Sequence, residues 1–510
     1  MRKTSNAILT LCAMAASAIC SYGQDSSKAA AFHTDIQSEA EEIMHDPAFS
    51  QSTFSICAMT GDGRTILDIN SGTMLVPASN MKLITTGAAI SSLGPDFRFS
   101  TSIGYSGTVT SGVLHGDLYI IGGGDPTLGS KDSIATEIGK TFSQWEAMLR
   151  KEGIRKIEGH IIGDGRWYGG MAEEPTWLWN DIGTYYGTGA TGLMFYENMQ
   201  SFLVSPGKAE GEPVNISPTY PQAPWMEFRY SCSTGKAGTG DQLYMYTSEL
   251  APVAEIRGTF GADMFRKRVD CSNKFPEYTC AKYFADYLDA HGIPCTKGPG
   301  DFKLDRTWMD SDEQTGTKQT EIKTIGKTES PALSRIVFET NHASNNLYAE
   351  ALLRTLGKTI CQDAEYGAAI KAMTGILEKL GISTSKGIHA QDGSGLSRQN
   401  YVSAEFFCKF LTAMMDTPHF EDFAGSLPSP GENGTLRYNM KNTAAQTRER
   451  IKVKSGSMNG VRCYSGYVIP REGCKDETIV FSILVNNCTS PNWKTKPMLD
   501  RLMESIALMN

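Results

Sequence analysis

The chain has 510 residues, 51 of them Gly and 12 Cys, with a formal net charge of −8. A single hydrophobic core rarely grows past ~250–300 residues, so two or three domains are expected. At 40% hydrophobic and 20% charged residues the chain is globular, neither disordered nor fibrous, and its acidic pI of 5.6 excludes a nucleic-acid coat or a polybasic membrane binder.

Arg2 and Lys3 precede an apolar stretch, Ala7 to Ile19, that is too short to span a bilayer. Ser21-Tyr22-Gly23 then offers a small-x-small cleavage site. Residues 1–23 read as a secretory signal peptide, whose removal takes the net charge from −8 to −10. Lipoprotein anchoring at Cys20 is the alternative, weakened by Ile19 in front of it. No later apolar run approaches ~18 residues, so no integral membrane segment is expected after signal removal. Ten cysteines remain, without a C-x-x-C pair or a zinc spacing. In an exported chain they are expected to be buried thiols with a few bridges.

The predicted elements follow in order. A helix is expected around Thr34 to His45. A hairpin follows, with strands Phe54 to Met59 and Thr65 to Ile69 joined at Gly61-Asp62-Gly63. Asn80 to Leu93 reads as a helix stopped by Gly94. From 101 to 325 short β-like segments alternate with Gly-rich turns, interrupted by helices at Phe142 to Lys151 and Thr279 to His291. Asp310 to Thr320 reads as a loop or a domain boundary. Helical texture returns from Pro331, with candidates at Asn346 to Leu356, Tyr366 to Leu380 and Ser403 to Met415. After Arg450 strands dominate, at Ile451 to Val453, Ser465 to Ile469 and Thr478 to Val485. Pro491 to Leu508 closes the chain as an amphipathic helix.

Three motifs carry chemistry. Ser79-Asn80-Met81-Lys82 is S-x-x-K. A chain this long shows about two such matches by chance; this one has four, starting at Ser79, Ser205, Ser233 and Ser383. Only Ser79 stands at a predicted helix start, where i, i+3 spacing brings serine and lysine onto one face. A serine hydroxyl needs a base to become a nucleophile. A lysine becomes a base when desolvation or nearby positive charge lowers its pKa. Ser344-Asn345-Asn346 is S-x-N, a pattern repeated at Ser457 and Ser490. Lys454-Ser455-Gly456-Ser457 is the one K-[ST]-G, at the end of an alternating strand where glycine admits a substrate backbone. Each motif taken singly is compatible with a helix cap or a solvated residue. The ordered set S-x-x-K, S-x-N, K-S-G is the signature of penicillin-interacting serine acyltransferases.

On these motifs the sequence resembles the D-alanyl-D-alanine carboxypeptidase/endopeptidase family of penicillin-binding protein 4 type, the class C low-molecular-mass penicillin-binding proteins. Further support comes from Gly116 to Leu128, Asp392-Gly-Ser-Gly-Leu-Ser-Arg398, Gly434-Thr-Leu-Arg437 and the long gap between Lys82 and Ser344. Asn345 stands where the family usually has Asp, and Ser455 where Thr is common. The resemblance implies that Ser79 is acylated and that Lys82 is its base. Ser344 shuttles a proton to the leaving amine, and Asn346 positions Lys82 or the substrate amide. Lys454 holds the substrate's terminal carboxylate and depresses the pKa of Lys82. Ser455, Gly456 and Ser457 line the substrate strand, with the Ser79 and Ser457 N–H groups as oxyanion hole. Asp392 and Ser394 are expected to line the cleft. No cofactor or metal is implied.

The expected fold is α+β, an antiparallel sheet flanked by helices of serine β-lactamase/DD-peptidase type. The catalytic domain would comprise residues 24–100 and 326–510, interrupted by one or two β-rich domains over 101–325. The first two strands should pair beside the last three, with the C-terminal helix on one face. The expected function is hydrolysis of peptidoglycan stem peptides in the periplasm, as carboxypeptidase, endopeptidase or both, with β-lactam antibiotics as inhibitors. The rivals are a serine β-lactamase, disfavoured by the absence of E-x-x-L-N between Lys82 and Ser344 and by the length of that insertion, and a non-catalytic wall-binding protein, disfavoured by the intact motifs. Gly187-Thr-Gly189-Ala-Thr-Gly192 fits G-x-G-x-x-G but follows no clear strand. The aromatic residues Trp167, Tyr168, Trp177, Trp179, Tyr185 and Tyr186 suit core packing or stacking on glycan.

Overall fold

The structure, a computed structural model, describes residues 36–304 and 321–509. The signal peptide, the alternative at Cys20 and the loop or domain boundary expected over Asp310 to Thr320 lie outside the described residues. The described chain forms two compact units. One takes the described residues of Met1–Pro77, Val402–Asp416 and Leu427–Asn510; the other takes those of Ala78–Tyr401 and Thr417–Ser426.

In the first unit the predicted hairpin forms strands β1 (Thr53–Thr60) and β2 (Thr65–Ile69). The late strands are β3 (Ile451–Met458), β4 (Val461–Val468) and β5 (Ile479–Asn486). They join in the order β2-β1-β5-β4-β3, antiparallel throughout. The first two strands therefore do pair beside the last three. Side chains alternate across a strand, so Phe54, Ile56 and Ala58 of β1 and Phe481, Ile483 and Val485 of β5 share one face. There they pack with Leu499, Leu502, Met503 and Ile506 of the C-terminal helix Asn492–Leu508. The opposite face meets the helix Ala404–Met414: Ser55 Oγ accepts from Ala404 N, and Cys408 Sγ donates to the Cys57 carbonyl. Both faces being covered, β1 and β5 read as near-continuous apolar runs.

The second unit is built on helix α1 (Met81–Leu93), apolar almost all round and buried against α2 (Leu333–His342), α3 (Asn346–Cys361) and α4 (Tyr366–Lys379). A helix hydrophobic on every side belongs inside a helical cluster. Gly94 ends α1 as predicted, at φ 80, with its N–H on the Ile90 carbonyl. A five-stranded sheet follows the order Pro299–Asp301, Ile161–Asp164, Leu118–Gly122, Ser100–Tyr105, Lys323–Glu329. Phe142, Trp145 and Phe284, from the helices Ile138–Lys151 and Pro276–Ala290, belong to the core packed on it. Three three-stranded sheets complete the described β-rich region, with strands at Thr108–Thr110, Val113–His115 and Lys156–Ile157, at Met199–Ser205, Asn215–Pro218 and Lys267–Ser272, and at Glu227–Gly235, Asp241–Ser248 and Ala251–Gly261.

All ten described cysteines are free thiols. The expected few bridges are absent among the described residues, and apolar surroundings push Cys271 and Cys463 up to about 12.

Candidate active site

Ser79 lies in a 3-10 turn, Ala78–Asn80, directly ahead of α1. The turn begins with Ala78 at φ 45, in the left-handed region that non-glycine residues rarely adopt. Gly395, at φ 83, faces it: a Cβ there would overlap the Ala78 carbonyl oxygen. Backbone contact with the Asp392–Arg398 loop thus fixes the turn that presents Ser79.

One helical turn on, Lys82 is fully buried. Its Nζ lies 3.0 Å from Ser79 Oγ, 2.6 Å from Asn346 Oδ1 and 2.7 Å from the Ser394 carbonyl. The last two atoms can only accept, so they take the two N–H groups of a neutral amine and turn its lone pair toward the Ser79 hydroxyl. Burial lowers the Lys82 pKa to about 7, against the opposing pull of the Glu350 and Asp392 carboxylates. Asn346 is itself oriented, its Nδ2 donating 2.9 Å to the Tyr186 carbonyl, which leaves Oδ1 for Lys82.

Two buried carboxyls support this centre. Glu350, one turn along α3 from Asn346, accepts from Gly393 N at 3.1 Å and Ser394 N at 2.8 Å. Burial, then repulsion from Asp392, raises its pKa. The shift weakens its hold on the Lys82 proton. Asp392 is fully buried and accepts from Trp177 Nε1, Gly395 N, Ser397 N and Asn400 Nδ2 at 2.6–2.8 Å. Asp392 therefore shapes its loop, and Ser394, also buried, meets Lys82 through its carbonyl. Sequence reasoning missed Glu350, and it took Tyr186 and Trp177 only as aromatic residues for core packing or glycan stacking, not as hydrogen-bonding partners of this centre. No motif marks them, and their roles come from partners distant in the chain.

Ser344 sits at φ 60, two residues before the first residue of α3. Asn345 caps that helix, its Oδ1 accepting from Tyr348 N. Ala78 and Ser344 are thus both held in left-handed backbone beside the S-x-x-K and S-x-N residues, at a cost of about 1–3 kcal/mol each. Strain of this kind persists where surrounding structure over-determines it.

Ser79, Lys82, Asn346, Asp392 and Ser394 thus meet in the second unit. Lys454, Ser455, Gly456 and Ser457 stand consecutively on β3 of the first unit. Lys454 is buried and donates 2.7 Å to the Ser455 carbonyl. Ser455 Oγ lies 3.0 Å from Thr435 Oγ1, from the Gly434-Thr-Leu-Arg437 segment.

The other sequence candidates fall elsewhere. Gly187 to Gly192 is irregular loop, with the Gly187 carbonyl accepting from Lys274 and that of Gly189 from Asn198. Tyr168 and Trp177 are core residues, whereas Trp167, Trp179 and Tyr185 are exposed.

Comparison with known proteins identifies the family and the fold. Residues 36–504 match the D-Ala-D-Ala carboxypeptidase 3 (S13) family. A D-alanyl-D-alanine carboxypeptidase of an Actinomadura species is 27% identical over 470 residues, spanning 90% of this chain and 82% of that protein. Penicillin-binding protein 4 of Haemophilus influenzae shares the fold at a TM-score of 0.76 and 21% identity, covering 93% of this chain and 98% of its own. Its complex with a β-lactam matches at 0.71 and 20% identity over the same shares. The chain belongs to the D-Ala-D-Ala carboxypeptidase 3 (S13) family of penicillin-binding serine peptidases.

Proposed function

We propose that the chain hydrolyses D-alanyl-D-alanine stem peptides of peptidoglycan through an acyl-enzyme on Ser79, with Lys82 as the base. The observation that carries this is the set of three atoms around Lys82 Nζ, two obligate acceptors and the Ser79 hydroxyl, about an amine whose pKa burial brings to about 7. Ser79 Oγ attacks the carbonyl of the penultimate D-Ala while its proton passes to Lys82. Ser344 relays a proton to the departing amine, and water then releases the acyl group. The Ser79 and Ser457 N–H groups stabilise the oxyanion. Lys454, Ser455, Gly456 and Ser457 receive the terminal D-Ala and its carboxylate, and the K-S-G motif on a strand supports this. Asp392 and Ser394 act as positioning residues, given their burial. The same serine is the site at which β-lactams acylate the protein.

The division into a catalytic domain of 24–100 and 326–510 around an insertion of 101–325 belongs to this proposal. The antiparallel pairing of Ser100–Tyr105 with Lys323–Glu329 supports it, because chain entry and exit then lie side by side. The charge, short apolar run and small-x-small site of residues 1–23 support export to the periplasm. The decisive experiment is labelling with fluorescent penicillin. Wild type should form a slowly released adduct and Ser79→Ala none. Equal labelling of the variant refutes the nucleophile assignment, and rapid turnover of the drug would favour the β-lactamase alternative. Digestion of purified muropeptides separates carboxypeptidase from endopeptidase activity.

A further inference from the structure

Residues 179–187 link the lysine centre to an exposed sheet face. At one end the Tyr186 carbonyl accepts from Asn346. In the middle Gly183 lies flat on the strand Asp241–Ser248: a Cβ there would overlap the Met245 carbonyl. Its own carbonyl accepts from Ser272 N at 3.0 Å. At the other end Trp179, 58% exposed, stands beside Tyr246, with ring centroids 6.5 Å apart and planes 30° apart.

The face itself follows from strand alternation. Met245 and Thr247 are buried, so Tyr244 and Tyr246 point the other way. Along the ladder Tyr244 is opposite Arg257, itself opposite Ser231; Tyr246 is opposite Glu255, itself opposite Arg229. Direct partners share a face. Arg257 Nε donates to Glu255 at 2.9 Å, Ser231 Oγ to the same carboxylate at 2.6 Å, and Arg229 to Glu227 at 2.8 Å. Three aromatic rings thus stand beside a paired guanidinium–carboxylate network in which charges balance.

That combination suits a pyranose polymer. A sugar ring has an apolar C–H face, which an aromatic ring covers, and a rim of hydroxyl and acetamido groups, which pre-ordered charged groups can hydrogen-bond. A balanced face offers phosphates no net attraction. Protein interfaces deplete charge at their cores, whereas here ion pairs fill the centre.

We propose that this face, through Trp179, Tyr244 and Tyr246, docks the N-acetylated glycan strand of the substrate polymer while an attached stem peptide reaches Ser79. The proposal rests on the peptidase reading above and adds the polymer to it.

The test is co-sedimentation with glycan strands stripped of stem peptides by an amidase, using Ser79→Ala protein with and without Trp179→Ala/Tyr246→Ala. The parent should be retained and the face variant at least about tenfold less. With Ser79 restored, the face variant should release D-Ala from intact sacculi about tenfold more slowly, yet keep wild-type kcat/KM on a soluble pentapeptide and a wild-type penicillin-labelling rate. Equal retention of parent and variant overturns the proposal. So does retention on intact sacculi but not on stripped strands, which would assign binding to the peptide. If the double variant fails to label, Trp179→Ala alone carries the same comparison, since that ring is exposed. Absence of any pentapeptide hydrolysis by the wild type would sink the peptidase reading and leave the retention result standing by itself.

Discussion

Asn345 Nδ2 donates 2.9 Å to Glu197 Oε2, a buried carboxylate in the 3-10 turn Tyr196–Asn198, directly ahead of the strand Met199–Ser205. Glu197 is held at φ 54 between two other left-handed residues, Tyr196 and Asn198, and burial raises its pKa. The resemblance noted in the sequence places Asp at position 345. Here the amide supplies a donor that a carboxylate lacks, so this departure from the family pattern has a local partner that requires it.

Asn345→Asp should therefore set two carboxylates against each other and destabilise the protein by about 1–3 kcal/mol at neutral pH. The sign with pH is fixed. As pH falls the pair takes up a proton, one oxygen becomes a donor again, and the deficit shrinks. Thermal loss of penicillin labelling, followed at pH 7 and pH 5, checks this. A deficit that grows on acidification contradicts it.

Lys82 must be neutral to take the Ser79 proton, so kcat/KM should rise with pH through a half-point near the Lys82 pKa of about 7. The Glu350 carboxylate raises that pKa. Glu350→Gln removes the charge, so the half-point should move down by about one pH unit. It should also cost about 1–3 kcal/mol of stability, because an amide cannot accept from both Gly393 N and Ser394 N through its two ends. An unchanged or raised half-point in the pH profile counts against the arrangement. Lys82→Arg, which keeps its proton, should lower acylation about 10²–10⁴-fold.

Gly395→Ala should be severe. The position has φ 83, and a Cβ would displace the Ala78 carbonyl, one residue from Ser79. The strained backbone alone costs about 1–3 kcal/mol, and the displaced turn should slow penicillin acylation at least about tenfold. Wild-type acylation by the alanine variant would show that the loop does not set the Ser79 turn.

Trp177→Phe keeps the ring in the core but removes the Nε1 donor to Asp392, 2.8 Å away. A hydrogen bond to a charged group contributes about 1.5–3 kcal/mol, so thermal inactivation should begin at lower temperature. The Asp392 loop carries the Ser394 carbonyl that holds Lys82, so kcat should fall more than KM changes. A variant altered in KM alone would place Trp177 in substrate binding instead.

Much of this was legible in the chain. Phe54 to Met59 and Thr65 to Ile69 were readable as a hairpin because a turn signal separates two β-like runs. Gly94 was readable as a helix stop because few residues other than glycine adopt its φ. The bridges expected from export were not borne out, since location alone does not bring two Sγ atoms together. Glu350 stayed hidden as one more helix residue, because its acceptors' partners arrive from a loop more than 40 positions downstream.

The sequence by itself determined the meeting of Ser79 with Lys82, because a helical turn imposes i, i+3 proximity wherever the helix forms. It also determined the order of the three motifs and so the resemblance, which in turn implied the pairing of the first strands beside the last. Tertiary structure alone decided that Lys82 is buried, with its pKa lowered to about 7. The lysine's pKa depends on burial, and two of the acceptors that hold its amine, on Asn346 and Ser394, lie 264 and 312 positions away in the chain. Residue spacing within a helix is local geometry; burial is a property of everything packed around it.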